Sequence, residues 1–198
     1  MTQIDYFVVP VSPFCYLAAD GLEQIAARRG ASIIYKPFDV GAVFLRTGGK
    51  PLGERHESRR AYRLLELRRI AARKKMAINL APAHFPTNPA PASYAIIAAQ
   101  AAGGGDIGAL VRRLLAACWA DERDIADDAV IREALGATGF DPGLADSGLM
   151  QGAETYAANT EEAVARGVFG APGYMVGEEL FWGQDRLDYL DEYLAGLR

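Results

Sequence analysis

Residues 12–15 read Ser-Pro-Phe-Cys and bring a hydroxyl and a thiol close together in the sequence, two groups that often take part in catalysis. They follow an apolar, β-branched and aromatic run that is typical of a strand, and they precede a helical pattern. Serine at an N-cap followed by proline is a strong signal for the start of a helix. The Ser12 hydroxyl is therefore predicted to lie at a helix N-terminus, where free N–H groups and the helix dipole favour an anion. A plain helix cap is the simpler interpretation of this motif taken alone.

The spacing of Ser12 and Cys15 matches the C-x-x-C frame of thioredoxin-like proteins, with serine in place of the nucleophilic first cysteine. That replacement removes the disulfide of the motif but keeps a geometry that stabilises a thiolate. Such a site is able to use a thiol borrowed from a cofactor. Cys15 is expected to be a small buried hydrophobe, and a mixed disulfide with the cofactor stays open as an alternative.

The composition argues against several classes of function. The chain has 198 residues, 51% hydrophobic and 23% charged, as in soluble globular proteins. A net charge of −4 offers no basic field for nucleic acid, and no apolar run is long enough to cross a membrane. Without a basic region ahead of an apolar stretch we expect no signal peptide and a cytoplasmic location. Two cysteines and two histidines suggest neither a disulfide framework nor a metal site.

The two ends of the chain carry the predicted strands. Strands over residues 4–9 and 32–38 flank a helix over residues 13–29, and so short a crossover makes them parallel. Near the other end, strands 173–176 and 179–181 form a hairpin. A closing helix follows over residues 185–197, with Asp185 as its expected N-cap.

The long middle of the chain is predicted to be helical. Helices are expected over residues 57–75, 92–102, 107–119, 128–135 and 149–166, with a loop at 47–53 and a proline-rich connection over 81–91. The order βαβ, helices, ββα predicts an α/β fold. We expect a discontinuous thioredoxin-like domain, residues 1–40 plus 167–198, with an all-helical insertion over residues 41–166.

A second stretch of interest is the Ala171–Pro172 pair, which leads directly into a predicted strand. In thioredoxin-like proteins a cis proline lies beside the active helix terminus. It leaves the backbone N–H and C=O of the preceding residue free to pair with an extended, thiol-bearing peptide. We therefore predict a cis peptide bond before Pro172, although an ordinary trans turn is the commoner state of an X–Pro bond.

Four motifs spread over essentially the whole chain together resemble the 2-hydroxychromene-2-carboxylate isomerases and the related kappa-class glutathione transferases. They are Ser-Pro-Phe-x-Tyr-Leu-Ala from residue 12, Phe-Pro-Thr-Asn from 85, Val-Phe-Gly-Ala-Pro from 168 and Trp-Gly-Gln-Asp-Arg from 182. The resemblance implies a DsbA-like thioredoxin fold with a helical insertion, usually a homodimer, that binds glutathione as its cofactor. In this family a thiolate adds to a double bond conjugated with a carbonyl, the resulting single bond rotates, and sulfur is expelled.

The resemblance also implies roles for individual residues. Ser12 is the expected catalytic residue, which stabilises the glutathione thiolate, while Ala171 offers its backbone to the cysteinyl group. Gln184 and Asp185 would hold the γ-glutamyl end. The full expected cofactor-binding set is Ser12, Phe14, Ala171, Pro172, Trp182, Gly183, Gln184 and Asp185.

The expected substrate is a small, electrophilic aromatic acid. Many members of the family carry an asparagine, and the isomerase a nearby basic residue, in the loop after the second strand, but this loop has no asparagine. Arginines bind carboxylates well, so Arg46, Arg55, Arg59 or Arg60 are candidates to replace the missing contacts, although a solvated helix face is the alternative interpretation. The expected substrate contacts are Arg46, Arg55, Phe85 and Asn88.

Three other functions stay open at this point. A kappa-like glutathione transferase would use the same site. A glutathione-linked thiol–disulfide oxidoreductase would use Cys15. A non-catalytic module would bind extended peptides along the strand edge beside Pro172.

Overall fold

The computed structural model of the protein describes residues 1–197. Its sheet has the order β2-β1-β3-β4, with the strands β1 (Gln3–Val8), β2 (Ser32–Pro37), β3 (Gly173–Val176) and β4 (Glu179–Trp182). β1 is parallel to β2, as predicted, and antiparallel to β3, which pairs with β4 as a hairpin. The two ends of the chain thus meet in one sheet, and the predicted fold class is confirmed.

Within the described part of the chain ten helices surround this sheet. They are α1 (Pro13–Ala18), α2 (Gly21–Arg29), α3 (Val40–Thr47), α4 (Glu57–Lys74), α5 (Ala90–Ala102), α6 (Ile107–Trp119), α7 (Asp128–Ala137), α8 (Leu144–Ser147), α9 (Leu149–Ala165) and α10 (Leu187–Gly196). A single 3₁₀ turn covers Leu52–Glu54. None of the helices in residues 1–197 combines the length and apolarity needed to cross a bilayer.

The helix predicted over residues 13–29 is two helices. The chain breaks at Ala19, which has a φ of 54°, and restarts at Gly21. α2 packs here against α10 so closely that a Cβ on Gly21 would lie 2.8 Å from the Cδ1 atom of Leu187. The Asp20-Gly21 pair is a turn signal at this point, but the hydrophobic periodicity continues on both sides of it and favours a single helix.

Two other helices were not predicted. α3 begins at Asp39, whose carboxylate accepts a hydrogen bond from the Ala42 N–H at 3.1 Å. Only Val43 of this helix is fully buried, and its eight residues are fewer than the roughly 11–18 over which helical periodicity is read. α8 has only four residues, which is too short for a periodic pattern.

The core lies on both faces of β1. Ile4, Tyr6 and Val8 belong to the larger hydrophobic cluster, which also contains helical side chains from α4 to α8, whereas Phe7 and Val9 belong to a smaller one. Alternation along the strand explains this division. The sheet and the helical segment share the larger cluster, so the two-domain division, 1–40 plus 167–198 against 41–166, stays a prediction. Its limit at residue 198 lies outside the described residues.

Candidate active site

Ser12 is the N-cap of α1, as predicted. Its backbone is extended, with φ −84° and ψ 120°, and its Oγ accepts a hydrogen bond from the Cys15 N–H at 3.3 Å. The same hydroxyl donates to the C=O of Ala171 at 3.4 Å. This contact joins two parts of the chain that are 159 residues apart, and it places the hydroxyl at the boundary between α1 and the loop before β3.

The peptide bond between Ala171 and Pro172 is cis, which confirms that prediction. The C=O of Pro172 accepts a hydrogen bond from the Gly183 N–H at 2.9 Å, and this bond holds the loop after β4 beside the proline. Among residues 1–197 the Ala171 N–H has no hydrogen-bond acceptor. A backbone donor is therefore available next to the Ser12 hydroxyl.

Cys15 is buried, as expected, with 1% of its surface exposed. Burial raises the pKa of its thiol to about 11, although hydrogen bonds with the Val9 backbone and with the Ser12 and Tyr6 side chains act in the opposite direction. The thiol is therefore un-ionised at neutral pH. A thiol in this state is a poor nucleophile.

Two cavities that share several walls lie near the start of α1. A larger groove of about 510 Å³ lies between α4 and the loop that follows β4. A smaller cavity of about 280 Å³ is mostly apolar, with Val9, Phe44 and Phe85 among its walls, and Ser12 lines it. Five residues line both spaces, namely Phe14, Arg55, Arg63, Ala171 and Trp182.

Most of the predicted cofactor-binding residues line the larger groove. They are Phe14, Ala171, Trp182, Gly183, Gln184 and Asp185. Ser12 lines the smaller cavity, and Pro172 is buried behind Ala171. The structure thus brings together residues from the first helix and from the end of the chain.

Asp185 does not have the capping role predicted for it. The N-cap of α10 is Arg186, and no side chain caps that helix. Residues 183–186 form a turn instead, in which the Arg186 N–H donates to the Gly183 C=O at 3.2 Å, so the helix begins later than predicted. The Asp185 carboxylate is 3.0 Å from the Arg186 guanidinium and is more than half exposed at the groove.

The predicted substrate contacts divide into two groups. Arg55 lines both cavities and Phe85 lines the smaller one. Arg46 lines neither cavity and forms an exposed ion pair with Glu161 at 2.6 Å. Asn88 also lines neither, and its side chain accepts a hydrogen bond from the Ala90 N–H at the start of α5. The structure therefore does not bring Arg46 and Asn88 to the site.

Arg63 lines both cavities and was missed at the sequence level. The sequence of α4 does contain a pattern that indicates which of its side chains face the groove. Arg59, Arg63, Glu66 and Ile70 recur every three or four residues, so they share one helix face, and all four line the larger groove. The many other arginines of α4 conceal this face in the sequence.

No group of three or more metal-binding side chains occurs in the part of the chain that the structure describes. The polar groups of the site are a hydroxyl, backbone amides, guanidinium groups and carboxylates. This arrangement suits the binding of an anionic organic molecule.

Comparison with known proteins identifies the family. The family profile described as "DSBA-like thioredoxin domain" matches residues 3–195. A protein of Sphingobium xenophagum named 2-hydroxychromene-2-carboxylate isomerase is 30% identical over 194 residues, which is 96% of this chain and 97% of that protein. A solved structure of a 2-hydroxychromene-2-carboxylate isomerase superimposes with a TM-score of 0.78 and 25% identity, over 98% of this chain and 95% of that chain. The cytosolic disulfide reductase DsbM from Pseudomonas aeruginosa shares the fold, with a TM-score of 0.68 and 22% identity over 98% and 96% of the two chains.

Proposed function

Since the chain belongs to the DsbA-like thioredoxin family, we propose that it is a glutathione-dependent cis–trans isomerase. Within that family it belongs with the 2-hydroxychromene-2-carboxylate isomerases. Its substrate is a small aromatic acid with a double bond conjugated to a carbonyl. The observation that carries this proposal is the position of the Ser12 hydroxyl, which lines the smaller cavity and lies 3.4 Å from the C=O of Ala171, a residue that lines both cavities.

Glutathione is assigned to the larger groove. A volume of about 510 Å³ suits a small ligand, since such sites occupy about 300–1,000 Å³. The unpaired N–H of Ala171 is available to an extended tripeptide, which would pair with it as an added strand. Gln184 and Asp185 lie in the same groove and are assigned to the γ-glutamyl end.

Ser12 is assigned to the thiolate of glutathione. A free thiol has a pKa near 8.5, and lowering it by about 2 units requires about 2.7 kcal/mol. A charge-assisted hydrogen bond contributes about 1.5–3 kcal/mol and the helix terminus about 0.3–1 kcal/mol. The hydroxyl's present bond to Ala171 is long, at 3.4 Å, so little is lost when it turns to the sulfur.

The smaller cavity is assigned to the acid. Its apolar walls suit an aromatic ring, and Ser12 is one of the residues that line it. The thiolate lone pair forms a C–S bond, the electrons of the double bond move onto the carbonyl oxygen, and the former double bond rotates. When the C–S bond breaks, the double bond forms again in the other geometry and glutathione leaves unchanged.

The other functions receive less support. A thiol–disulfide oxidoreductase would need a reactive Cys15, whereas burial raises the pKa of that thiol to about 11. A glutathione transferase would use the same groove and stays the nearest alternative. A peptide-binding module would leave the apolar cavity at Ser12 without a role. The homodimer and the cytoplasmic location stay predictions, and light scattering of the purified protein measures the first.

Titration with glutathione in a thermal-shift assay tests the proposal. A ligand of the native state raises stability by about 2.7 kcal/mol at 100 times its Kd, and for this chain length about 1 kcal/mol corresponds to about 2–4 °C in Tm. We expect a rise of about 5–10 °C with the wild type and a smaller rise with Ser12→Ala. S-methylglutathione is the matched control, because it has no ionisable thiol and should stabilise both proteins equally. If millimolar glutathione stabilises neither protein, the proposal is wrong.

A further inference from the structure

Two arginines at the junction of the cavities have no carboxylate partner among residues 1–197. Arg55 and Arg63 line both the groove and the smaller cavity, and neither takes part in an ion pair in this part of the chain. The Nε of Arg55 donates to the Lys50 C=O at 2.8 Å. For Arg63 the structure gives contacts with aromatic rings only. Their charge is therefore available to a ligand.

Aromatic rings hold both guanidinium groups at the smaller cavity. The guanidinium carbon of Arg55 lies 5.6 Å from the centre of the Phe44 ring. That of Arg63 lies 5.9 Å from the Phe85 ring and 5.8 Å from the Trp119 ring. Phe44 and Phe85 are themselves walls of the smaller cavity, so the two cations stand beside the space assigned to the aromatic acid.

The surroundings leave this positive charge uncompensated. Burial and then the neighbouring Arg55 lower the pKa of Arg63, yet a guanidinium stays protonated at neutral pH. The carboxylates that line the groove are engaged elsewhere, Glu66 with Arg69 at 2.8 Å and Asp185 with Arg186 at 3.0 Å. Two like charges in a partly buried site are unfavourable without an anion between them.

We propose that Arg63 and Arg55 together bind the carboxylate of the electrophile and thereby select acids over uncharged analogues. The role of this carboxylate in catalysis rests on the proposed function, whereas its binding by the two arginines does not. Guanidinium groups bind carboxylates through paired N–H donors, and a carboxylate held at the mouth leaves the aromatic part of the molecule in the apolar cavity. Because Ser12 lines that cavity as well, the conjugated double bond lies near the sulfur.

Direct binding of cinnamate and cinnamamide tests this role without any catalysis. We expect Arg63→Gln to bind cinnamate about 10–100-fold more weakly than the wild type, since hydrogen bonds to charged groups are strong. The affinity for cinnamamide, which has no charge, should stay unchanged. Arg68→Gln is the matched control, because Arg68 is an exposed arginine on the same helix that lines neither cavity.

Equal affinity of wild type and Arg63→Gln for cinnamate overturns the proposal. If Arg63→Gln does not fold, the affinity of Arg55→Gln for cinnamate is measured instead, and it should fall in the same way. Glutathione is titrated into the same proteins, and its affinity should change by less than about threefold. A loss of glutathione affinity as large as the loss for cinnamate would mean that the pair serves the cofactor, which also overturns the proposal. Wild type that binds cinnamate but not glutathione contradicts the proposed function alone.

Discussion

Ser12 acts, in the mechanism proposed above, through one hydrogen bond to sulfur. Its removal should therefore raise the pKa of bound glutathione toward the ordinary value near 8.5. We expect Ser12→Ala to lower kcat/KM at neutral pH by about 10–100-fold. The loss should shrink as pH rises through 8.5, because the variant's thiol then ionises without help.

The pH profile of kcat/KM measures this effect. The wild type should reach its plateau at least one pH unit below Ser12→Ala. A loss of activity that is the same at every pH would contradict a role in ionisation. It would indicate instead that the hydroxyl only supports the geometry of α1.

Cys15 provides a second prediction at this scale. Its folded-state pKa is raised to about 11, whereas an unfolded cysteine ionises near 8.5. Between these values the unfolded chain binds fewer protons than the native one, so stability falls as pH rises. Denaturant unfolding from pH 8.5 to 10 should show a loss of up to about 1.4 kcal/mol per pH unit from this thiol.

Cys15→Ala should remove that part of the pH dependence and keep glutathione-dependent activity. The substitution itself should cost about 1 kcal/mol at neutral pH, since it removes one buried sulfur atom. Loss of the activity with intact glutathione binding would favour the oxidoreductase that the sequence left open. Activity in the variant is the outcome that the isomerase predicts.

The sequence predicted the position of some site residues correctly and of others not. Ser12 and Ala171 were predicted because caps and proline turns are local signals. Arg46 was expected at the site but lies away from it. It belongs to the last turn of α3, a helix that was not predicted, and its side chain pairs with Glu161. Arg63 was missed because a sequence shows a charge but not the direction in which it points.

Among the elements, α9 connects the helical segment to the site. The side chain of Asn159 donates to the Pro37 C=O at 2.9 Å, and the Asp39 N–H donates to the Thr160 Oγ1 at 2.9 Å. These bonds fix the end of β2 and the start of α3. α3 carries Phe44, a wall of the smaller cavity, so these bonds connect α9 to that cavity.

α9 reaches its position by packing closely on α5. A Cβ on Gly152 would lie 2.6 Å from the Cβ and 2.8 Å from the Cα of Tyr94. Gly152→Ala should therefore cost about 1–3 kcal/mol of unfolding free energy, because backbone must move. Gly136→Ala in α7 is the control, since the nearest atom to its Cβ is 3.4 Å away and alanine favours helix by about 0.5–1 kcal/mol. Denaturant unfolding should show a lower unfolding free energy for Gly152→Ala and a higher one for Gly136→Ala. Similar changes in both variants would refute the close packing.

For the molecule as a whole, the shared core predicts cooperative unfolding. The larger hydrophobic cluster contains Tyr6 and Val8 of the sheet together with Leu114 and Trp119 of the helical segment. Neither part is able to lose its packing without exposing the other, so one two-state transition is expected. Far-UV circular dichroism and tryptophan fluorescence should give the same denaturation midpoint. Two separated transitions would support the division at residues 40 and 167 as independent domains.

The overall fold was predictable because each end of the chain has strong local patterns. Alternating and apolar runs marked the strands, and short connections determined their parallel and antiparallel pairing. The close approach of Gly21 to Leu187 was not predictable in this way, because its partners lie on α2 and α10, at opposite ends of the chain. Features created by such distant packing leave no local pattern to detect.

The hydrogen bond between Ser12 and Ala171 also has a consequence during translation. Ribosomes add about 5–20 residues per second, so the 159 residues between the two partners take about 10–30 s to synthesise. Once β2 has been synthesised, β1 has this neighbour but no β3, and the groove and the smaller cavity that Ala171 lines have not yet formed. In the mechanism proposed above, the growing chain therefore has no site for glutathione until the segment from Ala171 onward is in place.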